Sequence, residues 1–253
     1  MKKTDIQPNA SGDKMIGEYV ATDYRTARVF EKYGIDFCCG GKVSLSATCK
    51  EKALDLKTIL GEIEGVKNDP TERGQDYDSW ELPFLSDYII NIHHAYLKGN
   101  TDQILAYVLK IEEVHGANHP ELHHIARIFT KIASDMAAHL IFEETVFFPV
   151  IKKTATTIKT GRVPEKEDID TIMTALDKLS QEHDEIGDSV HEIRHLSMDY
   201  KIPGDACNTF MLTYQKLKEF EDDLHKHVHL ENNILFVKAA QYRQNNIIDR
   251  DEH

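Results

Sequence analysis

The chain has 253 residues, 41% of them hydrophobic, which is enough to bury the core of one large domain or of a small domain joined to a medium one. Its 30 Lys and Arg stand against 43 Asp and Glu, and the net charge of −13 disfavours nucleic acid and anionic lipid as partners. No apolar run approaches the ~20 residues that span a bilayer, and four unevenly placed cysteines (Cys38, Cys39, Cys49, Cys207) do not make a disulfide framework, so a cytoplasmic protein with no membrane partner is expected.

In chain order, residues 1–13 are polar and are expected to be disordered. Asp23 is a plausible N-cap for a helix through Arg25, Val29 and Phe30, with Gly34 as its stop, and the Cys38-Cys39-Gly40-Gly41 turn follows. A second helix is expected over residues 55–63, where Leu56, Ile59, Leu60 and Ile63 fall at helical spacing. Residues 67–79 are polar, contain Pro70 and Gly74, and read as a linker between a small domain at 14–66 and a larger one at 80–242.

Beyond Trp80 the pattern predicts four long helices near 82–113, 120–153, 166–198 and 205–242, with no strand signal. Gly116 to Pro120, Gly161 to Pro164 and Pro203-Gly204 mark the breaks, which is the signature of an antiparallel four-helix bundle.

An internal repeat runs through these helices. His139-Leu-Ile-Phe-Glu143 is echoed by His227-Val-His-Leu-Glu231, and a Phe stands nine residues after each of the two histidines. Counting back adds His94 and His183, so that the four histidines lie 45, 44 and 44 residues apart, one per helix. Residues i and i+4 of a helix are about 40° apart around its axis, so His139 and Glu143 aim at one point, as do His227 and Glu231. In an up-and-down bundle this spacing returns each histidine to a similar height. Imidazole with carboxylate suits iron or manganese, and two glutamates can bridge two ions, leaving open positions for dioxygen, nitric oxide or a bridging oxide. The bland alternative is a solvated His–Glu pair on an exposed face; the repeat and the flanking Leu140, Ile141, Phe142, Val146, Phe147, Leu230, Ile234 and Leu235 point inward instead. His93 competes with His94 in the first helix, and equal spacing favours His94 only modestly.

Adjacent thiols do not easily chelate one ion with both side chains, so Cys38 and Cys39 read as a thiol that receives or hands over iron, a redox pair, or two small buried side chains. Cys49 and Cys207 are expected to be inert. His115, His119 and His123 read as a solvated cluster interrupted by Pro120, and Glu144 and Glu182 as groups that help pass protons or ions.

Taken together, IDFCCGG (Ile35 to Gly41), the pair His93-His94, HLIFEETVFFP (His139 to Pro149), EHDEIG (Glu182 to Gly187) and HVHLENNILF (His227 to Phe236) resemble the haemerythrin-like domain. Over residues 14–240 they resemble the ScdA/YtfE family of iron-sulfur cluster repair proteins. The resemblance implies an all-α fold, a haemerythrin-like antiparallel four-helix bundle preceded by a small helical domain of the ScdA N-terminal kind. It implies two non-haem, carboxylate-bridged iron ions, with a bridging oxide expected, ligated by His94, His139, Glu143, His183, His227 and Glu231. It also implies repair of iron-sulfur clusters damaged by oxidative or nitrosative stress, with damaged iron-sulfur proteins as partners and nitric oxide or dioxygen as small ligands; a homodimer is compatible with it. The rival readings are a dioxygen or nitric oxide sensor or store, and an enzyme reducing nitric oxide at the two irons. Two departures stand out: Gly187 occupies the place of a further haemerythrin histidine, and Val237 that of the helix-ending Pro seen at Pro149 in the first copy.

Overall fold

Among the residues that the computed structural model describes, 14–66 and 76–248 with side chains to 243, every regular segment is helical, and one isolated β-bridge joins Met15 to Ser44. Residues 1–13 and 67–75, and with them the expected disordered start and most of the expected linker, lie outside the described residues. No helix among the described residues is long and apolar enough to cross a membrane.

The short helices are α1 (Ile16–Thr22), α2 (Ala27–Lys32), α3 (Leu45–Glu51) and α4 (Leu56–Val66). After them come α5 (Leu82–Ile89), α6 (Ala95–His115), α7 (Glu121–Phe142), α8 (Phe148–Lys159), α9 (Lys166–Leu196), α10 (Asn208–Leu230) and α11 (Phe236–Ile248). Single π-helical turns at Ile90–His94, Glu143–Phe147 and Glu231–Leu235 fuse α5 to α6, α7 to α8 and α10 to α11, so the chain from Leu82 onward forms four long rods. The contacts divide the chain into two units, one of residues 1–80 with His229–Ile234, the other of residues 81–228 with Leu235–His253.

In the first unit the start of the expected helix is reshaped. Asp23 accepts from the amide of Arg25 and binds its guanidinium at 2.6 Å, which stabilises a 3₁₀ turn at Tyr24–Thr26 before α2 begins. Gly34 ends this segment with φ +60°, a left-handed conformation that costs glycine little. Ile59, Ile63 and Val66 form the buried stripe of α4, joined in the core by Ile16, Val20, Phe30, Ile35, Phe37 and Leu45. Helices α1 and α3 were not legible in the sequence: each has 7 residues, too short for a periodic stripe. The π-turn residues 229–234 belong to this core. Phe37 and Tyr24 pack on the His229 ring, and the Asn233 amide donates to the Phe37 carbonyl at 2.9 Å and to His229 Nδ1 at 3.0 Å.

In the second unit α6 packs on α7, α7 on α9, α5 on α8 and α11 on α9. The apolar residues recur every three or four positions, as in Ile125, Phe129, Ile132 and Met136 of α7 and Ile172, Ala175, Leu179, Ile186 and Val190 of α9. His139 and His183 fall in register with these stripes, so the packing that forms the bundle also carries both imidazoles inward. Two of the expected inward residues do not follow: Ile141 is 60% and Val146 38% exposed, because both lie off the stripe. At the far end of α9, Glu221 of α10 is fully buried and receives the Arg194 guanidinium and the Tyr200 hydroxyl at 2.8 to 3.1 Å.

Candidate metal centre

The three π turns fall where the repeat places its donors. A π turn inserts one residue into the helical ladder, so neighbouring residues are swung to the same side. His93 and His94 are therefore both buried, at 1% and 0% exposure, where an α-helical turn would turn one of them away. Proline is not the common cause: Pro149 follows the second π turn, Val237 takes its place after the third, and the turn is present in both.

His94, His139, Glu143, His183, His227 and Glu231 are each at most 2% exposed. Their ligand atoms form two sets, His94, Glu143, His227 and Glu231, and His139, Glu143, His183 and Glu231, with the atoms of each set within 4.8 Å of one another. The two sets share both glutamates. Glu143 Oε2 lies 3.3 Å from Nε2 of His94 and 3.3 Å from Nε2 of His139, and the Nε2 atoms of His139 and His183 are 3.2 Å apart. At that distance the two imidazoles can share one hydrogen bond, its direction set by the tautomers, and both nitrogens face the same cluster of carboxylate oxygens.

The outer ring of contacts fixes these imidazoles. Glu144 Oε1 lies 2.8 Å from His94 Nδ1, and Glu182 Oε2 lies 2.9 Å from His139 Nδ1. A carboxylate there favours the tautomer protonated at Nδ1, in which Nε2 faces the cluster as an acceptor. Each carboxylate also meets a lysine, Lys98 and Lys178 respectively. The hydrogen bond from His139, followed by that from Lys178, holds the Glu182 carboxyl down to about 2. Phe148 stacks on His94 at 5.6 Å and Phe236 on His183 at 5.5 Å, so the Phe of each repeat copy clamps a histidine of the preceding rod.

His93 is diverted: its Nδ1 lies 3.0 Å from Asp223 Oδ1 and its ring stacks 5.8 Å from that of His227. Asp223 carried no sequence signal, since its partner lies 130 residues away. Of the histidines flanking His227, His225 meets His191 at 5.6 Å and His229 belongs to the first unit. His191, Glu221 and His225 also bring ligand atoms together, but the Arg194 guanidinium already supplies the cation at Glu221.

His115, His119 and His123 do not converge with one another on any such cluster among the described residues. His119 meets Glu121 and Asp205, and His123 meets Glu112. His115 Nε2 lies 3.2 Å from Cys207 Sγ. Cys207 is exposed, and the amide of Phe210, then His115, bring its thiol down to about 7. Cys49 is buried, and burial pushes its thiol up.

Adjacent thiols do not easily chelate one ion, and the local backbone at Cys38 and Cys39 bears on that expectation. Cys39 has φ −85° and ψ −41°, a helical rather than extended conformation, so successive side chains no longer point to opposite sides. The two sulfurs lie 3.8 Å apart, and the Cys38 thiol donates to Asp36 Oδ1 at 3.2 Å. The hydrogen bond with Cys39, then burial, push the Cys38 thiol well above its usual range.

Four long rods with clustered His and Glu define a haemerythrin-type cation-binding bundle, and residues 86–239 match the hemerythrin HHE cation binding domain. Residues 12–67 match a domain of unknown function, DUF542. The iron-sulfur cluster repair protein ScdA of Staphylococcus haemolyticus is 31% identical over 231 residues, covering 91% of this chain and 99% of its own. ScdA of Staphylococcus epidermidis (strain ATCC 35984) is 30% identical over 87% of this chain and 96% of its own, and the iron-sulfur cluster repair protein YtfE of Escherichia coli O157:H7 is 30% identical over 90% and 96%. The chain belongs to the ScdA/YtfE family of iron-sulfur cluster repair proteins.

Proposed function

We propose that this chain is a cytoplasmic di-iron protein that restores iron-sulfur clusters damaged by oxidative or nitrosative stress, acting on damaged iron-sulfur proteins. The observation that carries the reading is the pair of four-residue donor sets sharing Glu143 and Glu231. His94 and His227 would hold one iron, His139 and His183 the other, and the two carboxylates would bridge them, with an oxide as a further bridge. The donor chemistry fits: four neutral imidazoles and two carboxylates supply nitrogen and oxygen ligands suited to iron, in the bundle interior where carboxylate-rich di-iron sites are built. Burying two carboxylates costs free energy that two cations offset.

Bound there, iron supplies valence change and exchangeable positions for a small ligand such as nitric oxide or dioxygen. The residues of the chain do the rest. Glu144 and Glu182 keep the protons on Nδ1 of His94 and His139, which aims their Nε2 atoms inward. Phe148 and Phe236 stack on histidines and keep water from them. The names of the relatives, iron-sulfur cluster repair proteins, support repair over a sensor or store.

Iron analysis with an optical spectrum on wild type, His139→Ala and Glu231→Ala tests the reading. About two irons per chain are expected in wild type and a loss in both variants; unchanged iron content in the variants defeats the assignment. Incubation of the iron-loaded protein with a cluster-damaged enzyme then tests repair, with recovery of activity expected.

A further inference from the structure

We propose that Asp36, Cys38 and Cys39 form a second metal site, for one thiophilic divalent cation such as ferrous iron or zinc, with the two thiolates and one carboxylate oxygen as ligands. This site shares no residue with the bundle cluster and does not rest on the reading of that cluster.

The geometry is that of a thiolate pair. Two sulfurs at about 2.3 Å from a tetrahedral ion are about 3.8 Å apart, and Cys38 Sγ and Cys39 Sγ stand at 3.8 Å. That is far beyond the S–S bond of a disulfide, about 2.05 Å. The carboxylate of Asp36 joins them, its oxygen and both sulfurs lying within 4.8 Å of one another. A thiolate pair with one carboxylate leaves a tetrahedral ion its fourth position, as sites do that exchange their metal or ligand.

The surroundings hold the three donors in place. Asp36 Oδ1 accepts from the amides of Cys38 and Cys39 at 2.9 and 3.0 Å, which sets the turn, and Asn232 donates to the Cys38 carbonyl at 3.2 Å. Cys38 is buried, whereas Asp36 and Cys39 are half-buried, so an ion reaches the pair from their side. Entry of the cation replaces the two thiol protons, which leave to solvent: M²⁺ + 2 RSH gives M(SR)₂ + 2 H⁺.

Cobalt(II) titration of the reduced full chain tests the site, because only thiolate ligation gives a sulfur-to-cobalt charge-transfer absorption; imidazole and carboxylate do not. The band is expected in wild type, in Cys207→Ser and in His139→Ala. It is expected to vanish in Cys39→Ser, whose far-UV circular dichroism should match wild type, and in Asp36→Asn the cobalt affinity should fall by tenfold or more. Absence of the band from wild type, its survival in Cys39→Ser, or its loss in Cys207→Ser or His139→Ala overturns the proposal, and an unchanged affinity in Asp36→Asn removes the carboxylate from it. Zinc X-ray absorption on the His139→Ala chain loaded with one equivalent gives a second readout. Sulfur neighbours at about 2.3 Å are expected, and a shell of nitrogen and oxygen alone overturns the site.

Discussion

His139 Nδ1 lies 2.9 Å from Glu182 Oε2, a contact between adjacent rods that settles which imidazole nitrogen is left facing the bundle interior. With Glu182→Gln the acceptor oxygen remains and its charge is lost, so the imidazole is less firmly held and less basic. Iron affinity should drop about 10- to 100-fold, with little change in the far-UV spectrum. Competition with a chelator measures it, and Glu144→Gln should behave alike through His94.

The Arg194–Glu221 pair predicts a stability effect separate from metal. Glu221 is fully buried while the Arg194 side chain is about a third exposed, at 31%. Arg194→Met leaves the buried carboxylate with the Tyr200 hydroxyl and, at 3.8 Å, His225, at a cost of about 3 kcal/mol, the low end for breaking a buried pair. Urea unfolding of the metal-free chain should show it, and Arg194→Met combined with Glu221→Gln should recover much of the loss.

Gly17 and Gly41 predict an inverted helix-propensity result. Alanine inside a helix ordinarily stabilises relative to glycine by about 0.5–1 kcal/mol. A Cβ on Gly17, in α1, would stand 2.2 Å from Asn233 Oδ1, and one on Gly41 2.5 Å from the same atom. Asn233 cannot step aside without giving up its bonds to Phe37 and His229. Both substitutions should therefore destabilise, by about 1–3 kcal/mol, as overpacking does, and a thermal melt reports the sign.

Cys207 predicts a pH profile. Its thiol lies near 7 rather than 9, first because the Phe210 amide and then because His115 favour the thiolate. A depressed thiol means more of the reactive form at a given pH, so alkylation by iodoacetamide at Cys207 should rise with a midpoint near pH 7. His115→Ala should move that midpoint upward. Mass spectrometry of the labelled peptide resolves it from Cys49, whose buried thiol should react only at higher pH or after unfolding.

The rods and the donors on them were legible because helical periodicity and the 44- to 45-residue spacing are written along one strand of text. The partners across rods were not. Asp223 meets His93 over 130 residues and Glu144 meets His94 over 50, and such pairs depend on which helix lies next to which. The choice between His93 and His94 was hard for a specific reason: straight α-helical counting from Ile89 reaches His93, and the π turn at Ile90–His94 brings the following residue inward as well. The bend at Cys38 and Cys39 and the setting of Cys207 were not legible either: the first depends on the helical backbone at Cys39, and the second on amides at a helix start and on His115, 92 residues away.

The widened turns at Ile90–His94, Glu143–Phe147 and Glu231–Leu235 each hold one surplus residue in a rod. Deleting that one residue, with every donor side chain retained, would let the turn wind as an ordinary α-turn: the rod beyond would keep its register, while the side chains that the widening swings to one side would be turned apart. Length is therefore as binding a constraint on these three turns as composition: a donor set can tolerate exchange of neighbouring side chains more readily than a change in their number.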